Sequence, residues 1–151
     1  VWISVVAQLT PGLAFSLVCD AGFAVGVVTS DVPKIGSLIW IAEPTFDKEP
    51  TIEQVDEILA WRWPVFFPLA AALRRNLVNL IGQIAVPVEL KSFPLLRSRN
   101  GQGGWTLVEF IDGSSQPAGP AADPSIPRYK VVNDTKLREM IDSGWRPERE
   151  W

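Results

Sequence analysis

The residue types that carry most enzyme chemistry are sparse in this chain. It has one cysteine, Cys19, and no histidine among its 151 residues. A thiol or hydroxyl nucleophile needs a base beside it, and the usual base is histidine. Without histidine the Ser-His and Cys-His pairs, the common zinc sets and the usual neutral-pH proton shuttle are missing. Cys19 therefore reads as a small buried hydrophobe. It has no second cysteine to pair with, which suits a reducing cytoplasm. A glycosidase-like pair of carboxylates remains formally open, but the sequence alone positions no such pair. The expectation is a protein that is not an enzyme, with no catalytic residue, cofactor or metal ligand.

Binding chemistry is better represented. Glu43, Asp47, Glu49, Glu53, Asp56 and Glu57 are opposed only by Lys48, a net of −5 over residues 43–57. The whole chain carries −3, so the remainder sums to +2. Such a patch can steer a basic partner and speed its encounter. The plainer reading is a solvated loop and the polar face of a helix. Trp40, Trp61 and Trp63 bracket this segment. On a strand Trp61 and Trp63 would point the same way, and an exposed tryptophan beside acids makes a good interface anchor. Core packing is the competing role. The expected partner-binding residues are Glu43, Asp47, Glu49, Glu53, Asp56, Trp61 and Trp63, with the acids at the rim and a tryptophan nearer the centre.

Two further stretches carry less. Gly101, Gly103 and Gly104 follow Arg97 and Arg99. A phosphate cradle needs a glycine turn entering a helix, and here a strand follows, so a hairpin loop is expected. Gly144 to Glu148, GWRPE, reads as a helix stop with Trp145 folding back onto the domain. The negative net charge gives no nucleic-acid footprint. Val1 to Cys19 is uncharged, but Gln8, Thr10, Pro11 and Gly12 interrupt it and no basic flank precedes it, so neither a spanning helix nor a signal peptide is expected.

The elements that must position these residues follow from the apolar runs. Residues 61–87, with Arg62, Arg74 and Arg75 as their only charges, should occupy the middle of the domain. Between Pro64 and Pro68 lies a short buried strand. A helix of about two turns then sets Leu73 and Leu77 on one face, and a strand with a bulge or bend at Gly82 follows. Upstream, Val1–Val6 is a strand by propensity. Leu13–Val18 and Phe23–Thr29 form a hairpin, with Gly26 marking a close backbone approach or bulge. Leu38–Ala42 is the next strand. Thr51 and Gln54 form a capping box, opening a helix to about Ala60 with Ile52, Val55, Ile58 and Leu59 on one face.

Downstream, residues 93–104 suit a mobile loop and Trp105–Asp112 a strand, with a turn at Asp112-Gly113. Residues 114–127 hold four prolines and suit irregular wrapping. Tyr129–Val132 is a final strand, and Asn133 or Asp134 caps a helix presenting Leu137, Met140 and Ile141. Length and the 47% hydrophobic content fit a single domain over residues 1–151. Early strands joined by tight turns favour an α+β fold: a mainly antiparallel, partly rolled sheet or small barrel with two or three short helices.

The hairpin LAFSLVCDAGFAVGVV, then GSLIWIAEPTF, then WPVFFPLAAAL and VNLIGQIAVP, resembles the immunity protein 26 family of bacterial polymorphic toxin systems. The tail WTLVEFIDG to VVNDTKLREMIDSGWRPE resembles that of diverged relatives, so the resemblance covers roughly Thr10 to Glu148. Its motifs are apolar and structural, and no catalytic motif maps onto this chain. The resemblance implies a cytoplasmic protein that binds and neutralises a cognate toxin. An acidic segment would match a basic toxin domain. Two other readings stand beside it: a small-ligand binder or carboxylate-dependent enzyme of a β-rich fold, and an interaction module of a larger complex.

Overall fold

The computed structural model describes residues 9–111 and 114–150. The expected Val1–Val6 strand and Asp112-Gly113 turn lie outside them. β1 (Leu13–Cys19) and β2 (Gly22–Val32) form the hairpin, with Asp20-Ala21 as its turn. The Asp142 carboxylate accepts from both turn amides at 3.1 Å, tying the hairpin to the C-terminal helix. Gly26 stands opposite Phe15, and a Cβ there would lie 2.4 Å from the Phe15 ring. The glycine is thus a seat for the aromatic side chain across the ladder.

β3 (Gly36–Ala42), β4 (Trp61–Phe67) and β5 (Asn79–Gln83) complete an antiparallel sheet of order β4-β3-β2-β1-β5. Its strands alternate between two apolar faces, which is why they read as near-continuous hydrophobic runs. One face packs Phe15, Leu17, Ile39, Ile41 and Val65 under α2 (Leu69–Arg74) and α3 (Asp134–Asp142). The other packs Ala14, Val25 and Val27 under α1 (Ile52–Asp56) and Leu90. Three bulges interrupt the ladders, at Thr29, at Ile81 beside Gly82, and at Arg62. Bulges increase the local twist of a strand. β4 and β5 remain its two edges, so the described sheet does not close into a barrel.

A second antiparallel sheet contains β6 (Leu96–Arg99), β7 (Trp105–Ile111) and β8 (Ser114–Pro120) in order. Phe66, Phe93, Phe110 and Tyr129 pack between the sheets with ring centroids 5.1–6.4 Å apart. Residues 127–132 run between the sheet edges as a strap. Phe66 N–H donates to the Lys130 carbonyl and Arg97 N–H to that of Pro127; Val132 and Tyr129 N–H donate back to Phe66 and Arg97. Phe66 N–H points outward from β4, so Pro64, two residues earlier, turns its donorless nitrogen the same way and costs the β3 ladder nothing.

The α+β class and its antiparallel sheets are as the sequence implies, with eight strands and three helices among the described residues. Several boundaries differ. β4 runs through Pro64 rather than starting after it. α1 ends at Asp56, not Ala60, because the Ala60 carbonyl must accept from Glu43 N–H as β4 begins. α2 ends before Leu77: Asn76 takes φ +56°, and Leu77 N–H donates back to the Ala72 carbonyl. Such a left-handed cap ends a helix, yet Leu73 and Leu77 still reach the same core. Residues 93–104 are not one loop, since they contain β6. The proline-rich 114–120 stretch is a strand, tolerated because β8 is an edge. Tyr129–Val132 makes one isolated bridge, from Val131 to Phe66, instead of a strand.

Candidate functional site

Cys19 sits on the core face of β1 beside Asp142. Burial first, and the Asp142 carboxylate second, push its thiol up to about 11. At neutral pH it therefore stays protonated and is a poor nucleophile. The described residues contain no group of three or more His, Cys, Asp or Glu side chains able to hold a metal ion. No described helix is long and apolar enough to cross a membrane.

The acidic segment is a solvent-facing surface, but its members are not equivalent. Thr51 Oγ1 accepts from Gln54 N–H at 3.3 Å and the Gln54 side chain accepts from Thr51 N–H at 2.9 Å, so the capping box forms and orients α1. Glu53 lies in its first turn, favoured there by the helix dipole. Glu49 accepts from the buried Ser16 hydroxyl at 2.5 Å and is tied to the sheet. Glu43 pairs with Arg146 at 2.8 Å. Asp47, Glu53, Asp56 and Glu57 are exposed and join no ion pair among the described residues. They are the part of the patch left to act on a partner.

The tryptophans part company. Arg62 is the bulged residue of β4: Trp63 pairs with Ile41 and Trp61 with Ala42, so the two rings face opposite sides of the sheet. The expectation that they point the same way fails for this reason. Trp63 is 1% exposed, donates its indole N–H to the Trp145 carbonyl at 3.1 Å and packs edge-on against that ring at 5.0 Å. It is a core residue and cannot centre an interface. The GWRPE turn does fold back, as expected. Trp61 is half-buried on the other face with Trp40.

An apolar anchor does lie beside the free acids, and it is Leu59, 90% exposed. Because α1 stops early, Leu59 leaves the helix's buried face and projects from the connection to β4. With Pro44, Phe46, Ile58 and Ala60 it forms an apolar groove of about 480 Å³, rimmed by Glu43 and Glu57. The available signal was the short distance between Val55 and Trp61: one helix end, one turn and one strand start must fit there, leaving Leu59 in the connection.

On the other side of Glu43 lies a cleft of about 390 Å³. Trp40, Trp61, Pro64, Pro127 and Pro147 form its flat walls, and Glu148 stands exposed at its rim. Arg62 donates to the Glu43 carbonyl through Nε and Nη2 and to the Ile141 carbonyl through Nη1, which fixes the position of its guanidinium. The indole N–H groups of Trp40 and Trp61 are buried and have no hydrogen-bond partner. An orphaned buried donor costs about 1–3 kcal/mol, so each indole is a local cost to the fold. The cleft also contains two carboxylates, but Glu43 is spent on Arg146.

The second sheet gathers cations. Arg97 and Arg99 stack on the Trp105 ring at 3.9 and 4.1 Å. Arg97 is fully buried and donates to the Ile126, Pro147 and Glu150 carbonyls, a structural role that a loop reading of 93–104 misses. Burial pushes its guanidinium down from the ordinary arginine value, against the opposing pull of Glu150. The glycines form the β6–β7 hairpin loop, where Asn100 Oδ1 accepts from Gln102 and Gly104 N–H. No family model, no curated protein and no solved structure matches this chain.

Proposed function

We propose that this protein is an immunity protein that binds a cognate bacterial toxin with a basic surface and blocks it sterically, without chemistry of its own. The observation that carries the reading is the Leu59 groove beside Asp47, Glu53, Asp56 and Glu57. A leucine at 90% exposure offers about 1.5–2 kcal/mol of hydrophobic gain on burial. The adjacent acids have no internal partner and supply long-range attraction for a basic domain. The resemblance of the hairpin and core runs to immunity protein 26 supports the same reading and implies a cytoplasmic protein. Trp61 supports the groove from its half-buried position, while Glu49 and Trp63 serve the fold.

The test is co-expression with the product of the gene immediately upstream, which the reading expects to be a toxin. The reading expects growth to be rescued and a stoichiometric complex to be isolated. Rescue should fail with Leu59→Asp while that variant retains the parent's thermal stability. A folded protein that neither binds nor protects would overturn the reading.

A further inference from the structure

We infer that the cationic face of the second sheet, at Arg99 and Arg128, is a binding surface for a short acidic peptide segment. It shares no residue with the proposed toxin interface in the Leu59 groove and does not rest on that reading.

Strand pairing concentrates the charge. Arg97 stands opposite Arg128 across the bridge between β6 and the strap. Arg99 and Lys130 lie two residues further along the same two extended segments, so they share that face. Like charges directly opposite one another destabilise a sheet. One carboxylate answers these cations at contact distance: Glu150, 3.1 Å from Arg128 and 3.0 Å from Lys130. Arg97 is fully buried on carbonyls, and Lys130 is held by both Glu150 oxygens. Arg99 is exposed, and its guanidinium has no hydrogen bond or ion pair among the described residues. Arg128 is partly exposed and uses only Nη1 on Glu150. Stacking at 4.1 and 5.7 Å on Trp105 holds these two guanidiniums in place without neutralising them. Little side-chain freedom is then lost when they engage a ligand.

Three features select that ligand. The face stays net positive even when Glu148, which favours the charged form of Arg97 from the C-terminal turn, is counted beside Glu150. It therefore takes an anion. The fold already seats a carboxylate here, in the Glu150 pairs, and a guanidinium fork matches a carboxylate. The positive zone is also small, because Glu148 is exposed and Glu109 is exposed on the same face of β7 as Trp105. A long polyanion such as nucleic acid would run into these acids, whereas a segment with a few carboxylates would not.

The test is a titration of the 15N-labelled full chain followed at its arginine Nε–H resonances. The probes are a short Gly-Ser peptide carrying three glutamates, the same peptide with glutamines, and a thymidine oligonucleotide of matched charge. The Arg99 and Arg128 resonances should move saturably with the glutamate peptide and stay in place with the glutamine peptide, and the oligonucleotide should bind more weakly. Arg99→Gln should weaken binding by about five-fold, as the loss of an exposed charged contact implies. Glu150→Gln should tighten it by about two-fold, because a neighbouring like charge is removed. Static Arg99 and Arg128 resonances at millimolar glutamate peptide would overturn the inference, as would unchanged affinity in folded Arg99→Gln. Equal or tighter binding of the oligonucleotide would overturn it too, by reducing the effect to attraction for any anion. If Glu150→Gln does not fold, the Arg99 variant and the oligonucleotide decide.

Discussion

Replacing Arg97 with methionine should cost more stability than any change on the acidic surface. The side chain is fully buried, and its guanidinium reaches two separate segments: the Ile126 carbonyl at 2.7 Å, and in the C-terminal turn those of Pro147 at 2.6 Å and Glu150 at 3.5 Å. Hydrogen bonds from a charged donor contribute about 1.5–3 kcal/mol each, and the two short ones dominate. Stacking on Trp105 adds about 1 kcal/mol. Methionine keeps the length but orphans the carbonyls; in return it removes the cost of burying a charge. The net is a loss of about 3 kcal/mol, most of it the cost of leaving two buried carbonyls without a donor. With a urea m-value of about 2 kcal/mol/M, the midpoint should fall by about 1.5 M at unchanged slope. Arg97→Lys should recover less than half of this, because one ammonium cannot serve carbonyls in three directions. A methionine variant within about 1 kcal/mol of the parent would refute the view that Arg97 pins the strap and the C-terminal turn to the second sheet.

The Cys19 thiol should react slowly with iodoacetamide at neutral pH. Its folded value of about 11 lies above the ordinary thiol value, so its contribution is fully present below pH 9 and is lost as pH rises toward 11. Urea melts of the parent should therefore lose up to about 2 kcal/mol more than Cys19→Ala over that window; equal losses would contradict the assignment. Lys34 occupies position three of the β2–β3 turn at φ +70°, where Ile35 N–H donates to the Val32 carbonyl. Lys34→Gly should raise the melting temperature by about 2 °C, and a fall would show the strain to be absent. Gly26→Ala drives a methyl into the Phe15 ring and should destabilise by about 2 kcal/mol in the same melts; a neutral result would mean the ring has room to move.

What was legible in the sequence was local. The 13–29 hairpin, the Thr51 capping box, the Asn133 cap and the apolar face of the last helix each depend on residues within a few positions of one another. What was missed depends on distant partners. The side that Trp61 faces is set by a bulge against β3, and the length of α1 by a hydrogen bond between Ala60 and Glu43. β8 passes for a loop because its prolines are tolerated only at an edge, and which strand is an edge is a property of the whole sheet. Arg97 looks like loop charge until β6 places it against Trp105 and the strap. The candidate site shows the same division. The acids were visible as a charge run, whereas the burial of Trp63 follows from strand pairing past the bulge at Arg62 and the exposure of Leu59 from the early end of α1.

The central proposal is that the Leu59 groove and its free acids form a toxin-binding face, and stopped-flow binding kinetics with a toxin that this protein neutralises test it most directly. Leu59→Ala should leave association nearly unchanged and speed dissociation by a factor of 10 or more, as burial worth about 1.5–2 kcal/mol requires. Asp47→Lys combined with Glu53→Lys should instead slow association and flatten its dependence on salt. If both folded variants associate and dissociate like the parent across a salt series, the binding face lies elsewhere and the account is wrong.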